Sequence, residues 1–398
     1  MTAKYKVAYL VSHPIQYQAP LLRFIAGCPE IDLTVFFLSD FSVREYNDTG
    51  FGAKIQWDVP LLEGYKHVFL PTLGKPRCLS SLHPLVYGLT RHLRTGGFDA
   101  LWMHGYAHQA NLRAMLIAKR LGMKVFVRAE SQMGSALRNT TTKTFKEAML
   151  RLLFARVDAF LAIGTLNRQY YQHYGVPDNK LFSMPYAVDN AFFQSQALAA
   201  APQAHALRRE LQLEAGRPVI LYASKFVARK RADDLLEAYI QLSANGVSEP
   251  HPYLIFVGDG EQRFELEQRA HQTGWNSIRF VGFKNQTELP AYFVLCDVFV
   301  LVSEREPWGL IVNEVMNAGR PVIVSNEVGA GKDLVYDGEN GYIVPTGNRD
   351  ALRDRLLQIT SNPDTAAQMG RASLLRIDNW SFKEDYTGLL DALKCSLG

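Results

Sequence analysis

The feature that most constrains this chain is one pattern repeated along its length: a short apolar run, a loop, then an amphipathic stretch of helical period. KVAYLVSH leads into APLLRFIA, and DLTVFFLSD follows. FDALWMHG leads into HQANLRAMLIAKRLG, with KVFVRAES next, and VDAFLAIG leads into TLNRQYYQHYG. Apolar runs alternating with helices indicate parallel strands, because a parallel pair needs a crossover and a helix supplies it. The alternation pauses between Gln194 and Arg217, a stretch rich in Ala, Gln and Arg, and restarts at RPVILYAS. YLIFVGDG, IRFVGF, DVFVLVS and RPVIVS then repeat the pattern, each followed by a helical segment. The expected fold class is α/β, with two Rossmann-like domains facing across a cleft. The first covers residues 1–190 and the second residues 191–379, joined near Val188 to Gln194. In open sheets of this kind ligands bind beyond the carboxyl ends of the strands. The chemistry therefore belongs in the loops that follow strands, in both halves.

Composition narrows the classes. Of 398 residues 47% are apolar, enough for ordinary buried cores, and the net charge of +4 gives no reason to expect a nucleic-acid partner. Ten Lys or Arg and three acidic residues lie between Arg113 and Asp158. They form either a solvated helical face or a patch for peripheral contact with an anionic membrane or substrate. Cys28, Cys78, Cys296 and Cys395 are far apart, which argues against a zinc site or a disulfide framework and suits a reducing compartment. The apolar run Val7 to Val11 is too short for a signal-peptide core, and no run reaches the ~18 residues of a membrane span. A cytoplasmic location is expected, including the inner face of the cell membrane.

The second half carries the densest signal. DVFVLVS ends at Ser303, EREPWGL connects, and a helix is expected from Ile311. Pro307 and Gly309 shape the turn, and the amides of Trp308, Gly309 and Leu310 would stand at a helix N-terminus, which favours anions. Glu306 lies on the loop and Glu314 on the helix. Carboxylates beside a phosphate site suit hydroxyls, since one carboxylate accepts two hydrogen bonds from a vicinal diol. Taken alone, the pair also reads as a loop charge and an N-terminal helix charge. Lys225 and Lys230, with Arg229 and Arg231, occupy the loop after VILYAS and would supply positive charge to a diphosphate. Taken alone, this is also a basic, solvated loop. The glycines of VGDGEQ let a backbone approach a ligand, although tight turns use the same residues.

Together these residues resemble the retaining, GT-B-fold glycosyltransferases of the large family four. The family's Glu-x7-Glu motif reads EPWGLIVNE here, and its Arg-x4-Lys pair reads KFVARK, so Lys225 stands where Arg is usual. That exchange keeps the charge and loses the planar fork. NAGRPVIVS and VGAGKDLVYDGENGYIV match the family's following turn, strand and glycine loop, and WSFKEDYTGLLDAL resembles its final helix. The resemblance spans nearly the whole chain and is strongest from Pro218 to Ala351. It implies that the last helix, within about residues 380–398, crosses back to complete the first domain. It implies that Glu314 holds the ribose hydroxyls of a nucleotide-sugar and Glu306 the donor sugar. Lys225 and Lys230 would bind the diphosphate with the amides of Trp308 to Leu310. The Asp-x4-His pattern from Asp99 gives His104, and not His108, a catalytic place beside the donor sugar.

The acceptor half is less explicit. Relatives often have a glycine pair after the first strand, whereas this chain has none before Phe24 and carries His13, Gln16 and Tyr17 there. These either read acceptor hydroxyls or pack the loop. Arg128 and Glu130, after KVFV, form an internal ion pair or line the acceptor site. FLSDFSVREYNDTGFG is long enough for an acceptor lid.

The resemblance implies a co-substrate, a UDP-sugar by family frequency, and a saccharide or lipid-linked acceptor. No other cofactor and no metal is expected, since lysines would supply the charge. The wider expectation is polysaccharide or lipopolysaccharide building. No carboxylate can be assigned as a nucleophile, so same-face transfer is expected, with the leaving diphosphate taking the acceptor's proton. Two rival readings use the same residues. A nucleotide-sugar 2-epimerase would isomerise a UDP-sugar without a second sugar, and a non-catalytic nucleotide-sugar-binding partner subunit would bind donor without turnover.

Overall fold

In the computed structural model, which describes residues 4–48, 50, 52–74, 77, 79–133, 140–244 and 251–398, the chain divides into two units. The first comprises Met1–Tyr46, Val59–Tyr186 and Phe382–Gly398. The second comprises Asn47–Asp58 and Ala187–Ser381.

The first unit is built on a seven-stranded sheet. Its order is Leu181–Ser183, Ala159–Ala162, Lys124–Arg128, Ala100–His104, Tyr5–Val11, Ile31–Phe37 and Lys66–Phe69, all parallel. The apolar runs are continuous because both faces are covered: Val7 to Val11 are each at most 1% exposed. The chain leaves the strand Tyr5–Val11 on one side for Ile31–Phe37 and later returns on its other side with Ala100–His104. The sheet's order reverses between Tyr5–Val11 and Ala100–His104, and loops diverge there to leave a crevice.

The last helix, Phe382–Leu397, belongs to this unit. It lies so close to the edge strand that a side chain on Gly388 would meet the Ser183 carbonyl at 1.7 Å. An ion pair fixes it. Asp385 Oδ1 accepts from Arg128 Nη2 at 2.7 Å, with the two side chains 0% and 2% exposed.

The second unit has a six-stranded parallel sheet. Its order is Ile278–Phe280, Tyr253–Val257, Val219–Ala223, Val298–Leu301, Val322–Ser325 and Gly341–Val344. It reverses between Val219–Ala223 and Val298–Leu301. The pause in the sequence is two helices, Asn190–Ala199 and Ala201–Glu210. The segment Asn47–Asp58 packs with this unit, although the sequence alone assigned it to the first domain. No helix among the described residues is long and apolar enough to cross a membrane.

Candidate active site

The reversal in the second sheet brings together the two loops that carry the charged motifs. After Val219–Ala223 the chain runs through Ser224 to Phe226 and makes a tight turn, Ala228–Lys230, before the helix Ala232–Ala244. The glycines of VGDG hold this loop in place. Ser224 N donates to Val257 O at 3.1 Å, Phe226 N to Asp259 O at 2.8 Å and Gln262 N to Phe226 O at 3.0 Å. A β-carbon on Gly258 would meet Ser224 O at 2.0 Å, and one on Gly260 would meet Phe226 O at 2.6 Å. These glycines therefore admit a neighbouring backbone rather than a ligand, which corrects their expected role.

The second loop follows Val298–Leu301. Its backbone is tied to the next strand's loop: Glu306 N donates to Glu327 O at 3.1 Å and Gly329 N to Glu306 O at 2.9 Å. Gly309 has φ +94°, in the left-handed region, and lies against Leu301, Glu306 and Val328. Trp308 is buried. Its indole Nε1 donates to Asn313 Oδ1 at 2.9 Å, and its ring stacks on Trp380 with centroids 5.4 Å apart. The Trp308 side chain is thus a packing element, which leaves its backbone as the part open to a ligand role. The helix that follows, Ile311–Asn317, has seven residues and no side-chain N-cap.

The two loops meet at an ion pair. Lys230 Nζ donates to Glu306 Oε2, and Arg229 Nη1 stands 3.7 Å from the same oxygen. Lys230 is 9% exposed, and its burial pulls the ammonium below its ordinary pKa while Glu306 pulls the other way. Glu314 is different. No hydrogen bond or ion pair joins its carboxyl to any described side chain, and burial pushes its pKa up to about 8. The side chain is half-buried, and a partly dehydrated carboxyl that no described side chain pairs, one helical turn from the Glu306 loop, costs stability unless something else satisfies it.

Lys225 has a partner that sequence spacing could not reveal. Its Nζ donates to both oxygens of Asp48, at 2.7 and 2.9 Å. Asp48 ends the strand Tyr46–Asp48, 177 positions earlier in the chain, which pairs with Ala53–Ile55 as a hairpin.

At the reversal of the first sheet a second cluster forms. His104 ends its strand within 3.1 and 3.2 Å, at Nδ1 and Nε2, of the Gln18 amide nitrogen. Gln18 is buried and accepts from Tyr9 Oη at 2.8 Å. Burial lowers the His104 pKa to about 4, so the ring is neutral near pH 7. His108 is an N-cap: its Nδ1 accepts from Ala110 N at 3.0 Å. Burial likewise lowers His13 to about 4, and His13 contacts Ser12 and the ring of Phe41. Tyr17 and Tyr186 each donate to Glu130 Oε1 at 2.7 Å. Gln16 is half-buried in the same loop.

The acceptor role expected for Arg128 gives way to a structural one. Its Nη2 is engaged by Asp385 and by the carbonyls of Met184 and Pro185, at 2.7, 3.1 and 2.8 Å, and the side chain is 2% exposed. The basic stretch from Arg113 is partly spent too. Lys119 pairs with Asp158, and Arg151 and Arg156 donate to the carbonyls of His173 and Leu152. Arg138 and the Lys143 side chain lie outside the described residues. Within the lid segment, Thr49 and Phe51 do as well. Sequence reasoning missed Gln18, Asp48, Tyr186 and Asp385, whose roles come from contacts between distant strand ends.

Residues 203–375 match the model of the family described as glycosyl transferases group 1. The lipopolysaccharide core biosynthesis glycosyltransferase LpsE of Rhizobium meliloti is 32% identical over 156 residues, 39% of this chain and 43% of that protein. A GDP-mannose-dependent alpha-(1-6)-phosphatidylinositol monomannoside mannosyltransferase of Mycolicibacterium smegmatis is 29% identical over 216 residues, 52% of this chain and 54% of that protein. These matches span about half the length of the curated relatives. The crystal structure of Anabaena HepE in complex with UDP superposes with a TM-score of 0.72 at 17% identity, over 98% of this chain and 100% of that one. The fold is that of the GT-B glycosyltransferases, two doubly wound Rossmann-like sheets in one chain.

Proposed function

We propose that this chain is a retaining glycosyltransferase. It moves a sugar from a nucleotide-sugar, a UDP-sugar, to a hydroxyl of a saccharide or lipid-linked acceptor. The observation that carries the reading is Glu314: a half-buried carboxyl with no side-chain partner among the described residues, beside two charged loops at the sheet reversal. A ribose diol is the partner such a group lacks, because its two hydroxyls donate to one carboxylate. Lys230, Lys225 and the amides of Gly309 and Leu310 then take the diphosphate, and Glu306 orients Lys230 and meets the donor sugar. The family match over residues 203–375, the UDP bound to HepE and the GDP-mannose dependence of a relative all support a nucleoside diphosphate donor.

The transfer needs no protein nucleophile. The bond from the anomeric carbon to the diphosphate oxygen breaks, and the acceptor oxygen bonds to the same face of that carbon. Its proton passes to the departing phosphate oxygen. Positive side chains stabilise the charge that grows on the diphosphate, so no metal ion is required. His104, neutral near pH 7, contributes a hydrogen bond rather than a charge. LpsE supports an acceptor in surface lipopolysaccharide.

A thermal-shift panel of UDP-, GDP-, ADP- and TDP-sugars tests the donor class. One nucleotide series should raise the melting temperature of the wild type and not of Glu314→Ala. An equal rise in both proteins would remove Glu314 from the site.

A further inference from the structure

We infer that Asp48 stands in for the donor's diphosphate at Lys225, so that nucleotide binding displaces Asp48 and loosens the strand that carries it. The inference rests on the reading of Lys225 as a diphosphate ligand.

The geometry is specific. Asp48 meets Lys225 Nζ with both oxygens, at 2.7 and 2.9 Å, in a pair only 16% and 30% exposed. The turn after Asp48 is shaped to receive the lysine. Gly50 N donates to Asp48 Oδ1 at 2.8 Å, and a β-carbon on Gly50 would lie 2.7 and 2.8 Å from Lys225 Cδ and Nζ. A side chain at position 50 would push the lysine out, so Gly50 leaves room for the ammonium.

A second anchor holds the far end of the same segment. Asn285 Nδ2 donates to Gln56 O at 2.7 Å, and Thr287 Oγ1 and N donate to Asp58 Oδ2. The segment is therefore fastened to the second unit at both ends. One of them is a polar clasp at residues 285–287, away from the charged loops. The other is the ammonium on which the proposed donor site depends.

The electrostatics make the two occupants exclusive. A diphosphate at Lys225 brings its negative charge to within a few ångströms of the Asp48 carboxylate. Like charges at that distance repel in a half-buried setting. Lys230 relieves the conflict only in part, because its charge is shared with Glu306. The ammonium therefore holds either Asp48 or the diphosphate, and Asp48 acts as a competing anion within the chain. Release of Asp48 removes one of the contacts that hold the strands Tyr46–Asp48 and Ala53–Ile55 in place, so donor binding loosens a segment of the acceptor half's sequence. Donor should then bind before acceptor.

The test is a double-mutant cycle read by calorimetric titration with UDP, GDP and inorganic pyrophosphate, with uridine as the control. Asp48→Asn and Asp48→Ala should each tighten the binding nucleotide and pyrophosphate about three- to tenfold, as loss of a partly exposed competing ion pair allows. Uridine binding should not change, and in a Lys225→Met background Asp48→Asn should have no effect. Unchanged or weaker diphosphate binding in Asp48→Asn overturns the inference while leaving the donor site intact. If the wild type binds none of the three diphosphates, the donor-site reading falls and takes the inference with it. Hydrogen–deuterium exchange on the wild type provides a check that needs no variant. Tyr46–Asp48 and Ala53–Ile55 should exchange faster when UDP is added, and slower exchange overturns the displacement.

Discussion

Replacing Glu314 by Gln should make this protein more stable and a poorer binder of its donor. The carboxyl has an ordinary pKa of 4.5 and one of about 8 in the folded chain, and burial is the cause. Below pH 4.5 both folded and unfolded chains hold the proton, so the group costs nothing. Between pH 4.5 and 8 the unfolded chain releases the proton while the fold retains it, and stability falls as pH rises. Above pH 8 the loss is complete. At pH 7 two and a half units separate the ordinary pKa from the pH, which sets an upper bound of about 3 kcal/mol on the penalty, reduced by the water that reaches this half-buried side chain. Gln has the same shape and no proton to lose, so Glu314→Gln should recover up to about 3 kcal/mol at pH 7 and almost nothing at pH 4.5. Urea denaturation of both proteins at pH 4.5, 6 and 7.5, followed by tryptophan fluorescence, measures the difference. The gap between variants should widen with pH. A constant gap, or a variant less stable at pH 7.5, would refute a partly dehydrated carboxyl that lacks a partner. Donor affinity should move the opposite way. A ribose diol favours the ionised carboxylate, so wild-type affinity should rise as pH approaches 8 and then level, and Glu314→Gln should show no such rise. Stability regained at the expense of binding is the behaviour of a group kept for its ligand.

Asp385→Ala leaves the Arg128 guanidinium buried without its counter-charge, and it should cost about 3–5 kcal/mol and lower the melting temperature of the first unit. Loss below 1 kcal/mol would show that the carbonyls of Met184 and Pro185 suffice. Gly258→Ala puts a β-carbon 2.0 Å from Ser224 O at a φ of +136°, so it should cost about 2–3 kcal/mol. It should also weaken diphosphate binding by moving the Lys225 loop, and normal affinity in a destabilised variant would separate the loop from the site. Transfer should persist in excess EDTA, and complete loss on chelation, restored by a divalent ion, would contradict the lysine-based account.

The apolar runs made the fold legible because each strand is buried on both faces and so lacks polar positions: every residue from Val219 to Tyr222 is 0% exposed. The reversal points were legible for the same reason, since they follow from the order of strands. Glu306 and Lys230 were readable as chemistry on adjacent loops, and the structure joins them directly. Partners from distant segments were not readable. Arg128 suggested an acceptor contact because it ends a strand, and nothing local shows that Asp385, 257 positions later, consumes it. Asp48 was hidden in the same way, as an ordinary acid in a polar loop. The VGDG glycines suggested ligand contact because a glycine reports only that something approaches the backbone. Here it is the neighbouring loop that does so.

The most direct test of the account is the stereochemistry of a completed transfer. The wild type is incubated with the nucleotide-sugar selected by the thermal-shift panel and a set of saccharide acceptors. Proton NMR then follows the anomeric signals, with nucleoside diphosphate release measured in parallel. The account predicts diphosphate release matched mole for mole by a glycoside with the donor's anomeric configuration, and a strongly raised donor KM in Glu314→Ala. An inverted product, an isomerised donor without a new glycoside, or donor binding without turnover on any acceptor would contradict it.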